Sequence, residues 1–321
     1  MGDQNQLLRR LPSVDAVLSQ ADLRQLIEQH PRQIVISGIR RVIEAKRKNI
    51  LAGEFDRNND HETVAAAEVA VAIETWNRPV LQPVINATGV VVHTNLGRSP
   101  LSKEVAQQVA DIACGYSNLE LDLATGKRGR RMDTVREILV EISGAEDALV
   151  VNNNAAAVYL GLRVLAVGRE VIVSRGELVE IGGSFRIPDV MTASGAKLVE
   201  VGTTNKTRLA DYQKAIGPDT AMILKVHRSN FEMVGFTEDA PIGELVTLAR
   251  ENRVPLMMDM GWGTLADDLP QNLGHIQIAK EFLSQGVDLV CFSGDKILGG
   301  PQSGIILGRK DLIDSLASDP M

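Results

Sequence analysis

Along residues 14–30, 34–53 and 62–77, Leu, Ile, Val and Ala recur every three or four positions, with Pro31, Gly53 and the polar run DRNNDH between them. That spacing predicts three helices, each with one apolar face. Pro79 and Pro83 break the pattern, so a domain boundary is expected near residue 80. Beyond it the period changes. Short β-branched runs alternate with helical stretches: ALVVNN near 148, EVIVSR near 170, KLVEV near 197, AMILKVH near 221, VPLMMDM near 254 and DLVCFSGD near 288, then GIILG at 304–308. Several of these runs are apolar on both faces, as strands of a mostly parallel sheet covered by helices must be. The expected organisation is a helical N-terminal domain, residues 1–80, and an α/β large domain, residues 81–321.

Composition adds bounds. The 321 residues are 44% hydrophobic with a formal charge of −7, enough to bury a large core in more than one domain. No apolar stretch reaches the roughly 18 residues of a membrane span, and the opening MGDQNQLLRRL lacks the apolar block of a signal peptide, so the cytoplasm is expected. Cys114 and Cys291 have no Cys or His at ligand spacing, which excludes a zinc site and a disulfide framework; both read as packing residues. No metal is expected. Residues 1–80 carry 11 Lys and Arg against 11 Asp and Glu, so the remainder holds all of the net negative charge. Within 32–48, however, Arg32, Arg40, Arg41, Lys46, Arg47 and Lys48 face only Glu44 as an opposing charge. Such a run is either a docking face for a polyanion or a solvated helix face.

Chemistry concentrates at the predicted strand ends. In SGDKILGG, Lys296 emerges at the end of an apolar run, where α/β sheets hold their ligands. It reads either as a surface lysine or as an amine that partial desolvation frees to act as a nucleophile. Ser293 lies three residues before it, and Gly299 and Gly300 allow close backbone approach. Upstream, ALVV runs into NNNAAAVYLGL, whose helix start can present backbone N–H groups to a phosphate, although asparagines also cap helices routinely. Asp259 ends VPLMMDM ahead of what reads as a turn, GWG. A lysine, a phosphate cradle and an acid at successive strand ends suit pyridoxal phosphate. No P-loop, dinucleotide fingerprint or nucleophile elbow competes.

Seven segments in the order INATGVVVHTNLGRSPLS, ATGKRGRRMD, VNNNAAAV, SRGELVEIGGSFRIPDVM, EVGTTNKTRLADY, KVHRSNFEMVGFTED and SGDKILGGPQSGIILG resemble the bacterial selenocysteine synthases, the L-seryl-tRNA(Sec) selenium transferases. The resemblance implies a fold-type I pyridoxal phosphate enzyme, with an aspartate-aminotransferase-like large domain, that converts seryl-tRNA(Sec) to selenocysteinyl-tRNA(Sec) with selenophosphate as donor. On it, Lys296 matches the Schiff-base lysine and Asp259 the carboxylate under the pyridine nitrogen. Asn153, Asn154, Ala155 and Ser293 fall in the segments holding the cofactor phosphate. Arg98 matches an active-site arginine suited to an oxyanion, and Lys127, Arg128, Arg130 and Arg131 add positive potential.

The resemblance further implies an N-terminal domain that recognises tRNA, which favours the polyanion reading of Arg40, Arg41, Arg47 and Lys48. It implies homodimers that assemble into a decamer, a pentamer of dimers, and neither a membrane nor a DNA partner. Two departures stand out. Trp262 brings an indole between two glycines that the family usually separates by a small residue, which is expected to crowd the cofactor turn. The resemblance also implies a C-terminal small domain, which is expected to be missing here. The alternatives are therefore a related lyase acting on a small amino or sugar acid, and a truncated, non-catalytic tRNA-binding or assembly chain.

Overall fold

A computed structural model describes residues 2–54, 63–183, 185–266 and 276–320, in two compact units, Met1–Ile85 and Asn86–Met321. The DRNNDH run lies outside the described residues.

The first unit is helical. Residues 14–30 form two short helices, α2 (Val14–Leu18) and α3 (Arg24–Gln29), joined by a 3-10 turn, and an unanticipated α1 (Gly2–Arg10) precedes them. Ser13 explains one break: its hydroxyl accepts the Ala16 N–H and starts a new helix. The long α4 (Arg32–Ala52) ends at Gly53, which takes the left-handed conformation of a helix C-cap. It packs against α5 (Ala66–Asn77) around a core of Val17, Leu23, Val35, Ile39, Val42, Val69 and Ile73. Gly38 sets that crossing: a Cβ there would lie 2.8 Å from Cγ1 of Ile73, so only a glycine lets the helices approach so closely.

The second unit is α/β. After α6 (Lys103–Ala113) and α7 (Asp133–Ser143) come β1 (Asp147–Val151), α8 (Asn154–Ala166), β2 (Glu170–Ser174), the two-residue strands β3 (Glu180–Ile181) and β4 (Phe185–Arg186), α9 (Ile187–Ser194), β5 (Lys197–Val201), α10 (Leu209–Ala215) and β6 (Thr220–Val226). Then follow α11 (Ile242–Asn252), β7 (Leu256–Trp262), α12 (Ala279–Gln285), β8 (Leu289–Ser293), β9 (Gly304–Gly308) and α13 (Lys310–Ala317). Seven strands form one sheet in the order β1-β9-β8-β7-β6-β2-β5. All seven runs expected as strands lie in it. The pairs from β8 to β5 are parallel, whereas β9 runs antiparallel to both β1 and β8.

The sheet is buried on both faces, which explains the unbroken apolar runs. Ile223, Met258, Met260 and Phe292 join one core. Leu224, Met257, Cys291 and Ile306 join the other, under α8. This is the helix-covered α/β sheet expected for the large domain. Two local expectations need correction. GWG is not a turn: β7 continues through Gly261 to Trp262, with a register shift between Asp259 and Gly261 that kinks its end. Cys114 is exposed just past α6, while Cys291 is buried as expected.

Candidate active site

The carboxyl ends of β1, β7 and β8 open on a cavity of about 230 Å³. Arg98, Asn153, Asn154, Ala155, Asp259, Ser293 and Lys296 all border it, so the seven residues singled out as catalytic or cofactor-binding meet in one place. None of Lys127, Arg128, Arg130 and Arg131 does; Arg128 and Arg131 instead donate to Glu120 at 2.9 and 3.0 Å.

Asn153 caps α8. Its side chain accepts the Ala156 N–H at 2.8 Å and its carbonyl takes the Ala157 N–H, leaving the amides of Asn154 and Ala155 for an anion at the positive end of a 13-residue helix. The loop is pressed onto β9, since a Cβ on Gly304 would stand 2.2 Å from the Asn153 carbonyl oxygen.

Asp259 is 1% exposed. Its Oδ1 accepts from Asn154 Nδ2 at 2.7 Å and from the Gly261 N–H at 2.8 Å, and the Cys291 thiol lies at 3.9 Å. None of these bonds uses Oδ2. Burial pushes this carboxyl above its ordinary range, against the donors and the Lys296 charge, which pull it down. A buried acid with an uncommitted oxygen suits a cationic N–H donor arriving from the cavity. The residues therefore fit pyridoxal phosphate, with an acceptor for the ring nitrogen, helix amides and a serine hydroxyl for the phosphate, and an amine for the aldehyde.

Lys296 follows β8, and its Nζ lies 3.4 Å from the Gly261 carbonyl. Desolvation, reinforced by the positive charge of Arg98, holds this amine below the usual lysine range. Arg98 is a non-glycine residue at φ 64°, a conformation that costs on the order of 1–3 kcal/mol. It is held there by an ion pair from its Nη1 to Oδ2 of Asp295 at 2.7 Å. The Ser99 N–H donates to the Asp295 carbonyl at 3.2 Å and the Ser99 hydroxyl to the Lys296 carbonyl. The loop before α6 is thus stitched to the lysine's own backbone.

Sequence reasoning missed three wall residues, Ile181, Gly182 and Phe185 on the β3–β4 hairpin, and Gln302 before β9. Trp262 does not border the cavity. Its ring stands 6.4 Å from that of His227.

In the helical unit, Arg40, Arg41, Arg47 and Lys48 are all exposed on α4. Arg47 pairs with Glu44 at 2.7 Å, and the Arg41 guanidinium lies over the Trp76 ring, 5.1 Å from its centroid. Among the described residues, no His, Cys, Asp and Glu cluster could hold a metal, and no helix is long and apolar enough to cross a membrane.

Two family descriptions match: "L-seryl-tRNA selenium transferase" over residues 84–321 and "Selenocysteine synthase N terminal" over residues 8–47. Curated L-seryl-tRNA(Sec) selenium transferases are similar throughout. Those of Geotalea daltonii and Geobacter sulfurreducens are 52% and 50% identical over 98% of this chain and 68% of their own lengths. That of Carboxydothermus hydrogenoformans is 48% identical over 98% of this chain and 67% of its own. A solved D-glucosaminate-6-phosphate ammonia-lyase shares the fold, with a TM-score of 0.55 and 24% identity over 70% of this chain and 58% of that one. With a cavity of matching chemistry, a family model over residues 84–321 and relatives about half identical across 98% of its length, the chain belongs to the L-seryl-tRNA selenium transferase family.

Proposed function

We propose that the protein is a cytoplasmic pyridoxal phosphate enzyme that converts seryl-tRNA(Sec) to selenocysteinyl-tRNA(Sec), replacing the seryl β-hydroxyl with selenium from selenophosphate. The observation that carries this reading is the meeting of Lys296, Asp259 and the α8 N-terminus in one cavity. Bound there, pyridoxal phosphate supplies an aldehyde for an amine and a ring that withdraws electrons from the α-carbon.

The chain's own residues do the rest. Asn154 and Gly261 fix the Asp259 carboxylate so that it can hold a ring N–H in its charged form. The Asn154 and Ala155 amides, with Ser293, bind the phosphate. Lys296 Nζ, with its lowered proton affinity, is the nucleophile for the aldehyde and, once released, the base for the seryl α-proton. Arg98, aimed by Asp295, binds the selenophosphate oxyanion. The basic face of α4, with Arg40, Arg41, Arg47 and Lys48, takes the tRNA backbone. A lyase for a small amino or sugar acid has no use for that face.

We further infer a homo-oligomer built from dimers, with the family's pentamer of dimers as the expected form. Val105, Val109 and Ile112 on α6, and Val135, Ile138 and Ile142 on α7, are exposed at helical spacing, a pattern that a second copy would cover.

The deciding experiment offers the purified protein seryl-tRNA(Sec), seryl-tRNA(Ser) and free serine in parallel, each with selenophosphate. Selenium transfer is expected to the first alone. Reaction with free serine or a sugar acid would favour the small-substrate lyase, and no reaction with any would favour a tRNA-binding or assembly chain. Neutralising Arg40, Arg41, Arg47 and Lys48 together should weaken tRNA binding and flatten its salt dependence without changing the bound cofactor's absorbance.

A further inference from the structure

A second cavity, of about 510 Å³, opens at the carboxyl edge of the sheet and is lined by Glu177, Lys225, His227, Arg228, Asp239 and Gln277. Strand alternation places it on the face away from the candidate site. Leu224 and Val226 pack with Met257 under α8, whereas Ile223 packs in the other core, and Lys225 follows Ile223. Its cations are already matched. Lys225 pairs with Glu177, Arg228 Nη1 lies 3.3 Å from Asp239 Oδ1, and His227 Nδ1 lies 3.0 Å from Gln277 Nε2. An anionic ligand would find no unmatched lysine or arginine there, and Glu232 on the same lining would oppose it.

The Lys225–Glu177 pair does something else. The two side chains are only 11% and 1% exposed. One Glu177 oxygen takes the Lys225 ammonium, and the other accepts the Val226 N–H at 3.0 Å, at the last residue of β6. Glu177 closes the single 3-10 turn after β2. From there the chain crosses the sheet edge: Val179 and Ile187 are buried in the core under α8, and the Ile187 N–H donates to the Val179 carbonyl at 3.3 Å. Between them lies the β3–β4 hairpin, which puts Ile181, Gly182 and Phe185 on the wall of the candidate site. Desolvation pushes the Glu177 carboxyl up, and the Lys225 charge opposes it. A buried ion pair is a weak source of net stability compared with apolar packing, so its value here is in fixing a position.

We propose that Glu177, through Lys225, is a positioning residue that fixes the hairpin wall of the candidate site and thereby sets how tightly a planar ring is gripped beside Lys296. The choice of ring rests on the pyridoxal phosphate reading; the tie itself does not.

The test uses the full chain with Glu177→Gln, Lys225→Met and Lys225→Arg. Two quantities are measured: amide hydrogen exchange of the peptide spanning Leu178 to Ile187 in cofactor-free protein, and the Kd for pyridoxal phosphate by absorbance. Breaking the pair should speed exchange in that peptide by about tenfold or more while β7 and β8 keep their protection, and raise Kd by a similar factor. Lys225→Arg, which keeps the charge, should restore both. Uniform loss of protection across the sheet, unchanged exchange in the peptide, or failure of both Glu177→Gln and Lys225→Met to fold would each overturn the proposal. If wild type binds no pyridoxal phosphate, the cofactor reading fails while the exchange comparison still decides the tie.

Discussion

Lys296 sits between charges of opposite sign that belong to a single ion pair: Arg98 lowers its proton affinity and Asp295 raises it. Removing either partner should therefore move the amine in opposite directions. Arg98→Gln is expected to raise the Lys296 titration, so that less of it is neutral at a given pH, and Asp295→Asn to lower it further. Competitive amine labelling of cofactor-free protein across pH, read at Lys296 by mass spectrometry, gives the sign directly. A shift of both variants the same way would show that the field at the amine comes from elsewhere. Lys296 was legible because it follows an apolar run, where α/β sheets hold ligands, in company with Ser293, Asp259 and the helix start at NNNAAA. Its electrostatic setting was not. Arg98 and Asp295 are 197 residues apart, and nothing local in HTNLGRS marks a residue forced to φ 64°.

At the scale of elements, Asp147 shows how one buried carboxylate joins three of them. It begins β1, is 1% exposed, and takes a bidentate contact from Arg136 on α7 and a longer one, at 3.5 Å, from Lys310 on α13. Hydrogen bonds from Arg136 hold its carboxyl below the ordinary range despite burial. A depressed carboxyl contributes stability that is fully present above its unfolded value, about 3.9, and is lost as pH falls through the folded value. Wild type should thus lose stability relative to Asp147→Asn between about pH 4 and the acid transition, and exceed it at neutral pH. Denaturant unfolding at pH 7 and pH 3 measures the crossover; a gap independent of pH would refute it. Elements of this length were legible from period alone, as β1, β2 and β5 to β9 show. The β3–β4 hairpin was not, because a two-residue strand offers no alternation to count, and it carries three of the four wall residues that sequence reasoning missed. Likewise GWG reads as a turn by composition, yet cross-strand pairing of Gly261 with Phe292 and Trp262 with Ser293 draws it into the sheet.

For the whole molecule, the apolar stripes of α6 and α7 expose more large hydrophobic side chains at helical spacing than a lone chain would be expected to show. Size-exclusion chromatography with light scattering should give a mass well above the 34.8 kDa monomer, and Val109→Lys with Ile112→Glu should reduce it. A monomeric wild type would mean that something other than a second copy covers those helices. The fold class was legible from alternating periods. Which surface awaits a partner was not, since an amphipathic helix looks the same in sequence whether its apolar side meets its own sheet or another chain.

The strand order carries one more consequence. Among the described residues β1, near the start of the second unit, finds its only sheet neighbour in β9, so that Asp147 aligns with Gly308 and Val151 with Gly304. On a ribosome the early strand must wait, unpaired, until almost all of the described chain has been made. During that interval its open edge, and that of β8, are the sites most exposed to mispairing between nascent chains, and the late arrival of five residues closes both at once.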